Sequence, residues 1–413
     1  MPDESPPGNH LQKVRIRRGL TQEALAERAA LSVSTVRKIE QGGGARLETF
    51  RTLARALNVE TSALIDSGSP APVSESEESN KLNLLALRQV LTPVIGFDGA
   101  VSLGANVTGS VREADLRASL SEAVRLYHAD DFDAVATILP KMIRQSHWLV
   151  SHGSDDERVS LLRLRAEIFQ LAGWFLTQVR QYDLAYSAIR DAIGDAIATG
   201  DSLTAASGAI SQAWLFIRQG RFGDAESLAR ITASQIEPRI STATDAELSA
   251  WGWLLLRGSA AAIRNNRQDS SDDFLSLAEV AAARLTATRP APEYHQYLTT
   301  FDRSVVSMKR AEALMVVGDA RGVLRIADGI SVPGSQYRSD NLSRHLLDVA
   351  AAHSAVGDYS DATGVLAHLR KNSPEWLRHQ RKGRDILASI LHRRRRPLNH
   401  ELRDLAAFMD ISA

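Results

Sequence analysis

Between residues 11 and 65 apolar positions return every three or four residues in short segments, the period of helices that bury one face. In QEALAERA, Leu25, Ala26 and Ala29 share such a face, and in VSTVRKIEQ, Val36 and Ile39 do. A hydroxyl precedes each segment, Thr21 and Ser32, placed to accept the first free helix N–H groups as N-caps. Ala24 stands where a full capping box needs Glu or Gln. A short link, Ala30-Leu31, separates the two helices. Residues 66–80, DSGSPAPVSESEESN, drop the pattern and hold almost nothing to bury, the composition of a solvated linker. Next, LNLLALRQVLTP predicts one helix stopped by Pro93, followed by a Gly-rich loop from Gly96 to Gly109. From about Val111 the helical period runs to the end. The pattern therefore predicts an all-α chain in four parts: a head at 11–65, a linker at 66–80, a connector at 81–110 and a helical body at 111–413.

Within the body the pattern repeats weakly as a helical hairpin, and repeats decide architecture. The clearest copy is HLLDVAAAHSAVGDYSDATGVLAHLRKNSP, with Ala350, Gly357, Tyr359, Ala362, Leu366 and Pro374 at the spacing of a tetratricopeptide repeat. Looser copies turn at Asp131-Phe132, Gln181-Tyr182, Gly220-Arg221-Phe222 and Gly318-Asp319, and a very degenerate one at Asn266-Arg267. Small residues such as Ala185 and Ala225 follow the turns and let paired helices approach. Turns fall about 40 to 50 residues apart, wider than the usual 34, so a tetratricopeptide-like α-solenoid with long helices is expected rather than a regular array.

Composition narrows the function. At 413 residues the chain exceeds a single core, which stops growing near 250–300 residues. No run of about 18 apolar residues could cross a bilayer, so no membrane association is expected. The first residues, MPDESPPGNH, lack a basic stretch leading into an apolar core, so a cytoplasmic location is expected. Zero cysteines exclude disulfides, thiolate zinc sites and cysteine nucleophiles. Net charge is +0, so any nucleic-acid footprint must be local; the first 65 residues carry ten Lys or Arg against seven Asp or Glu.

In the head, Val33, Ser34 and Thr35 form a small outward first turn of the second segment, short enough to let a helix enter a major groove about 12 Å wide. GLTQEALA, STVRKIEQG and LARALNVETSALI together resemble the phage-repressor-like Xre family of helix-turn-helix domains over 11–65. The resemblance implies a five-helix, lambda-repressor-like fold that binds double-stranded operator DNA. It places Gln22 against a phosphate or outer base pair, turns Val33, Ser34, Arg37 and Lys38 towards the groove, and pairs Arg15 with Glu40 as a structural tie. With the caps Thr21 and Ser32, and with Thr35, these are the candidate DNA-binding residues. The loop GGGAR is about one residue shorter than the family's and lacks its proline and basic residues. Arg46 is the candidate substitute phosphate contact, and the glycines offer backbone N–H groups to phosphate oxygens.

Nothing points to catalysis. No HExxH, GxSxG or phosphate-loop signature occurs, so no catalytic residue, metal site or cofactor is expected. HRRRRP, from His392, reads as a solvated helix end or a second phosphate patch. Most tryptophans belong to inter-helix core, but Trp174, Trp214, Arg257 and Asn265 are candidate ligand-binding residues because stacked hairpins create a concave groove. The combination of head and body is similar to peptide-responsive regulators of Gram-positive bacteria and to regulators of actinobacterial type. That resemblance implies a transcriptional regulator, working as a homodimer, whose body senses a peptide, small molecule or protein. The other reading is an interaction scaffold in which the head docks a partner.

Overall fold

The computed structural model describes residues 8–65, 84–97, 101–102, 111–285, 301–330, 340–378, 380–393 and 400–411. The linker at 66–80, most of the Gly-rich loop and most of the HRRRRP run lie outside the described residues. The fold is all-α, with one short antiparallel β-hairpin among the described residues. Five helices form the head: α1 (Gly8–Arg17), α2 (Gln22–Arg28), α3 (Val33–Glu40), α4 (Leu47–Leu57) and α5 (Thr61–Ile65). They close over Leu11, Leu25, Val36, Ile39, Phe50, Leu53, Leu57 and Leu64, a core of their own.

Helix α6 (Leu85–Leu91) follows, with β1 (Val94–Ile95) pairing β2 (Val101–Ser102) where only a loop is expected from sequence. Two-residue strands carry no alternation, so the sequence has no signal for them.

Among the described residues six antiparallel hairpins then stack. The first three are α7 (Glu113–His128) with α8 (Phe132–His152), α9 (Arg158–Gln178) with α10 (Tyr182–Ala198), and α11 (Ser202–Gln219) with α12 (Phe222–Gln235). The others are α13 (Asp245–Arg264) with α14 (Gln268–Arg284), α15 (Arg303–Val317) with α16 (Ala320–Asp328), and α17 (Asp340–Val356) with α18 (Tyr359–Asn372). Helices α19 (Pro374–Arg378), α20 (Arg381–Arg393) and α21 (His400–Phe408) close the end over Trp376, Leu387 and Leu405. Helices α9, α11 and α13, first in their hairpins, are buried on most sides; in α9 the run from Ala166 to Gly173 is buried without a break. Such a helix has neighbours all round, and a one-sided stripe is not required of it.

Each hairpin turns through one left-handed residue: Gly220, Gly318 and Gly357, but also Asp130, Arg180 and Asn266. The three polar turns carry backbone strain that the glycine turns do not, because an L residue is disfavoured in that conformation. Gly357 has φ +94° and open space around its Cα, and Arg180 has φ 62°. Gly357→Ala is expected to cost roughly 1 kcal/mol and Arg180→Gly to gain a similar amount, read as opposite shifts of the urea midpoint.

Candidate nucleic-acid interface

The second and third helices meet as the capping residues dictate. Thr21 Oγ1 accepts the Ala24 N–H at 3.1 Å, and Ser32 Oγ accepts the Thr35 N–H at 3.1 Å. Between them Ala30 takes a left-handed conformation (φ 50°), which turns the chain so that α3 crosses α2. Val36 and Ile39 are buried, while Ser34, Arg37 and Lys38 are exposed along the outer face of α3. Val33 is half-buried and packs on the head's core, so it anchors the helix start rather than standing free. The hydroxyls of Ser34 and Thr35 both lie 2.8 Å from that of Ser32.

Beneath this face sits a buried polar network. Arg15 donates to both carboxylate oxygens of Glu40, at 2.6 and 3.0 Å, and a third N–H reaches the Leu20 carbonyl at 2.7 Å. The hydrogen bonds that Arg15 donates to Glu40 hold its guanidinium above the ordinary pKa. Gln22 joins by donating to Glu40 Oε2 at 2.7 Å, and its own amide oxygen lies 3.5 Å from Arg37 Nε. Its amide nitrogen is therefore engaged inside the head, and its carbonyl side steers Arg37. In the loop after α3, a Cβ at Gly43 would lie 2.6 Å from Lys38 Cγ, so glycine there lets the Lys38 stem lie across the loop. The Gly43 N–H is bonded to the Lys38 carbonyl, which removes it as a phosphate donor. Arg46 lies 3.6 Å from Asp385 of α20, both exposed, a pairing too weak to hold it against a phosphate.

The opposite side of the head is seated on the body. A helix ends with carbonyls that lack intrahelical partners. Thr61 Oγ1 donates to the Arg264 carbonyl at the end of α13 at 2.8 Å; Arg55 donates to the Val316 and Val317 carbonyls at the end of α15 at 2.8 and 3.2 Å. Asn265 is buried here: its amide oxygen accepts the Ser62 N–H at 3.0 Å and its amide nitrogen donates to Glu60 at 3.2 Å. Leu47 of α4 packs beside Phe216, Ile217 and Phe222.

Trp174, Trp214 and Arg257 come together elsewhere, in a cavity of about 270 Å³ lined mainly by the first helices of the hairpins and by Leu47 and Arg51 of the head. The Arg257 guanidinium sits 5.7 Å from the Trp214 ring centre and 5.4 Å from that of Trp253. Asn265 is not in this group, because the head occupies its amide. Sequence reasoning missed Arg51, Arg218, Lys309, Glu312 and Arg344 in the same lining; they sit on four different helices, and no local spacing links those helices. Among the described residues, one metal-capable group forms, His353 with Asp358 and Asp361. Its carboxylates are exposed around the start of α18, where acidic groups suit the helix N-terminus.

Five helices about one small core, with the second and third capped and an exposed outer face on the third, define a helix-turn-helix domain. Residues 11–64 match the family model described as Helix-turn-helix, of the Xre and lambda-repressor-like type, which supports a DNA-binding role for the head. No curated protein matches the chain. No helix among the described residues is long and apolar enough to cross a membrane.

Removing one member of a buried ion pair leaves the other uncompensated. Glu40→Ala is expected to cost the head about 3 kcal/mol, whereas exposed Lys38→Ala stays within about 0.5 kcal/mol. Hydrogen exchange of the α1–α3 amides measures both.

Proposed function

We propose that the chain is a sequence-specific transcriptional regulator that reads operator DNA with α3, dimerises through its body and senses an effector there. The observation that carries this reading is the division of the head: Ser34, Arg37 and Lys38 are presented outward, while α4 and α5 are seated on the body. Arg37 and Lys38 suit guanine edges or phosphates, and Ser34 is short enough to let α3 enter the groove. Thr21 and Ser32 fix the two helix starts, and Arg46 supplies a flanking phosphate contact. One head makes few contacts, so two heads on half-sites about 34–36 Å apart supply the affinity, and the body holds them as a homodimer. Catalysis plays no part, and the protein works in the cytoplasm. An effector that binds one arrangement of head and body better than another shifts DNA affinity by that difference.

Fluorescence anisotropy with DNA upstream of the chain's own and neighbouring genes tests this. Tight, competitor-resistant binding is expected. Arg37→Ala/Lys38→Ala should weaken it at least about tenfold and reduce the slope of log affinity against log salt by roughly 1 to 2. Weak binding indifferent to sequence and to these substitutions would instead support a scaffold whose head docks a protein partner.

A further inference from the structure

The cavity between head and body has an unusual charge balance. Among the described residues its lining carries six Lys or Arg side chains and one carboxylate, Glu312. That carboxylate is already engaged, by Lys309 at 2.9 Å and by a short contact from Arg264. Burial opposes its ionisation, but the two cations hold Glu312 well below the usual carboxylate range. Arg218 and Arg257 have no carboxylate partner among the described residues; Arg218 hydrogen-bonds the Tyr182 hydroxyl, yet the Nε of each guanidinium is buried without a hydrogen bond. Arg257 keeps some accessible surface, yet protein surrounds it, and burial pushes its pKa down to about 10. Arg51, on the head's side of the cavity, is likewise brought down to about 10, mainly by burial.

Unpaired buried cations are costly, and a protein that retains several around one space leaves a site whose natural complement is an anion. The rest of the wall says what accompanies the charge. Trp174 and Trp214 face the space as half-buried indoles, and the Trp174 N–H is already given to Ser211 Oγ at 2.6 Å, so Trp174 offers its ring rather than a donor. The wall also spans the whole superhelix. Arg344 of α17 reaches Gln178 of α9 at 3.4 Å, so early and late hairpins meet around the cavity, and α4 of the head adds Leu47 and Arg51.

We propose that this cavity binds a small organic anion, a carboxylate or phosphate ester on a flat apolar group, with Arg218, Arg257 and Arg344 holding the charge and Trp174 and Trp214 the ring. The bound anion draws Arg51 and the body's inner helices together, and thereby fixes the head in its seat. This rests on the reading of the chain as an effector-controlled regulator, but binding to the cavity is measured without DNA, so either idea can fail alone.

The test uses the full chain and calorimetric titration with 2-naphthoate, 2-naphthyl phosphate and uncharged 2-naphthamide. At least one of the two anions is expected to bind with a Kd of about 1 mM or tighter, and the amide at least about tenfold more weakly. Arg257→Met keeps packing on the tryptophans and removes an unpaired charge; it should lose at least about tenfold in anion affinity with an unchanged or higher Tm. Arg218→Gln provides a second variant with the same expected loss. The saturating anion should also slow hydrogen exchange in residues 47–57. The site is overturned if neither anion binds at about 10 mM, if amide and anion bind alike, or if both variants bind as the parent does. Binding that leaves exchange in 47–57 unchanged overturns the link to the head.

Discussion

The architecture depends on how the body's helices end. Helices α13 and α15 finish with carbonyls that their own turns leave open, and the head's Thr61 and Arg55 supply the missing donors. The reader domain is therefore also a cap for the stack. These are directional bonds to backbone atoms, so they specify where the head sits more sharply than the apolar contact of Leu47 with Phe216 and Phe222 could. They also leave α3 facing away from the body. Seating and presentation are two sides of one small core.

Local chemistry was legible in the sequence and long-range geometry was not. Thr21 and Ser32 announce the starts of α2 and α3, and Arg15 with Glu40 forms the tie that the family resemblance implies. The hairpin turns could be located even where Asp130, Arg180 or Asn266 stands in for glycine, from the polar-aromatic pairs Asp131-Phe132 and Gln181-Tyr182 and, more faintly, from Asn266-Arg267. The role of Asn265 was not readable: its partners Ser62 and Glu60 lie about two hundred residues earlier, and nothing in the local pattern pairs them. Gln22 is a milder case. Its position at the start of α2 was evident, but the pull of Glu40 on its amide depends on how α2 crosses α3. Gly43 reads as a turn residue, whereas the structure ties it to the path of the Lys38 side chain.

The cavity shows the same division. Trp174, Trp214 and Arg257 were individually plausible, since first helices of stacked hairpins line a concave space. The concentration of positive charge could not be foreseen, because Arg51, Arg218, Lys309 and Arg344 come from helices spread over almost three hundred residues. A chain with zero net charge can still collect cations in one place. The stacked hairpins do so by bringing their first helices around one space, across which Arg344 of α17 reaches Gln178 of α9.

The distance along the chain between the head and its seat has a consequence for biosynthesis. Thr61 waits for Arg264, 203 residues later, and Arg51 for Val316, 265 residues later. At ribosomal speeds of about 5–20 residues per second the head emerges roughly ten to fifty seconds before its seat exists. It has a core of its own on which to fold in that interval. A nascent or prematurely terminated chain thus carries the helix-turn-helix domain without the helix ends that seat it, and full synthesis is what completes the seat.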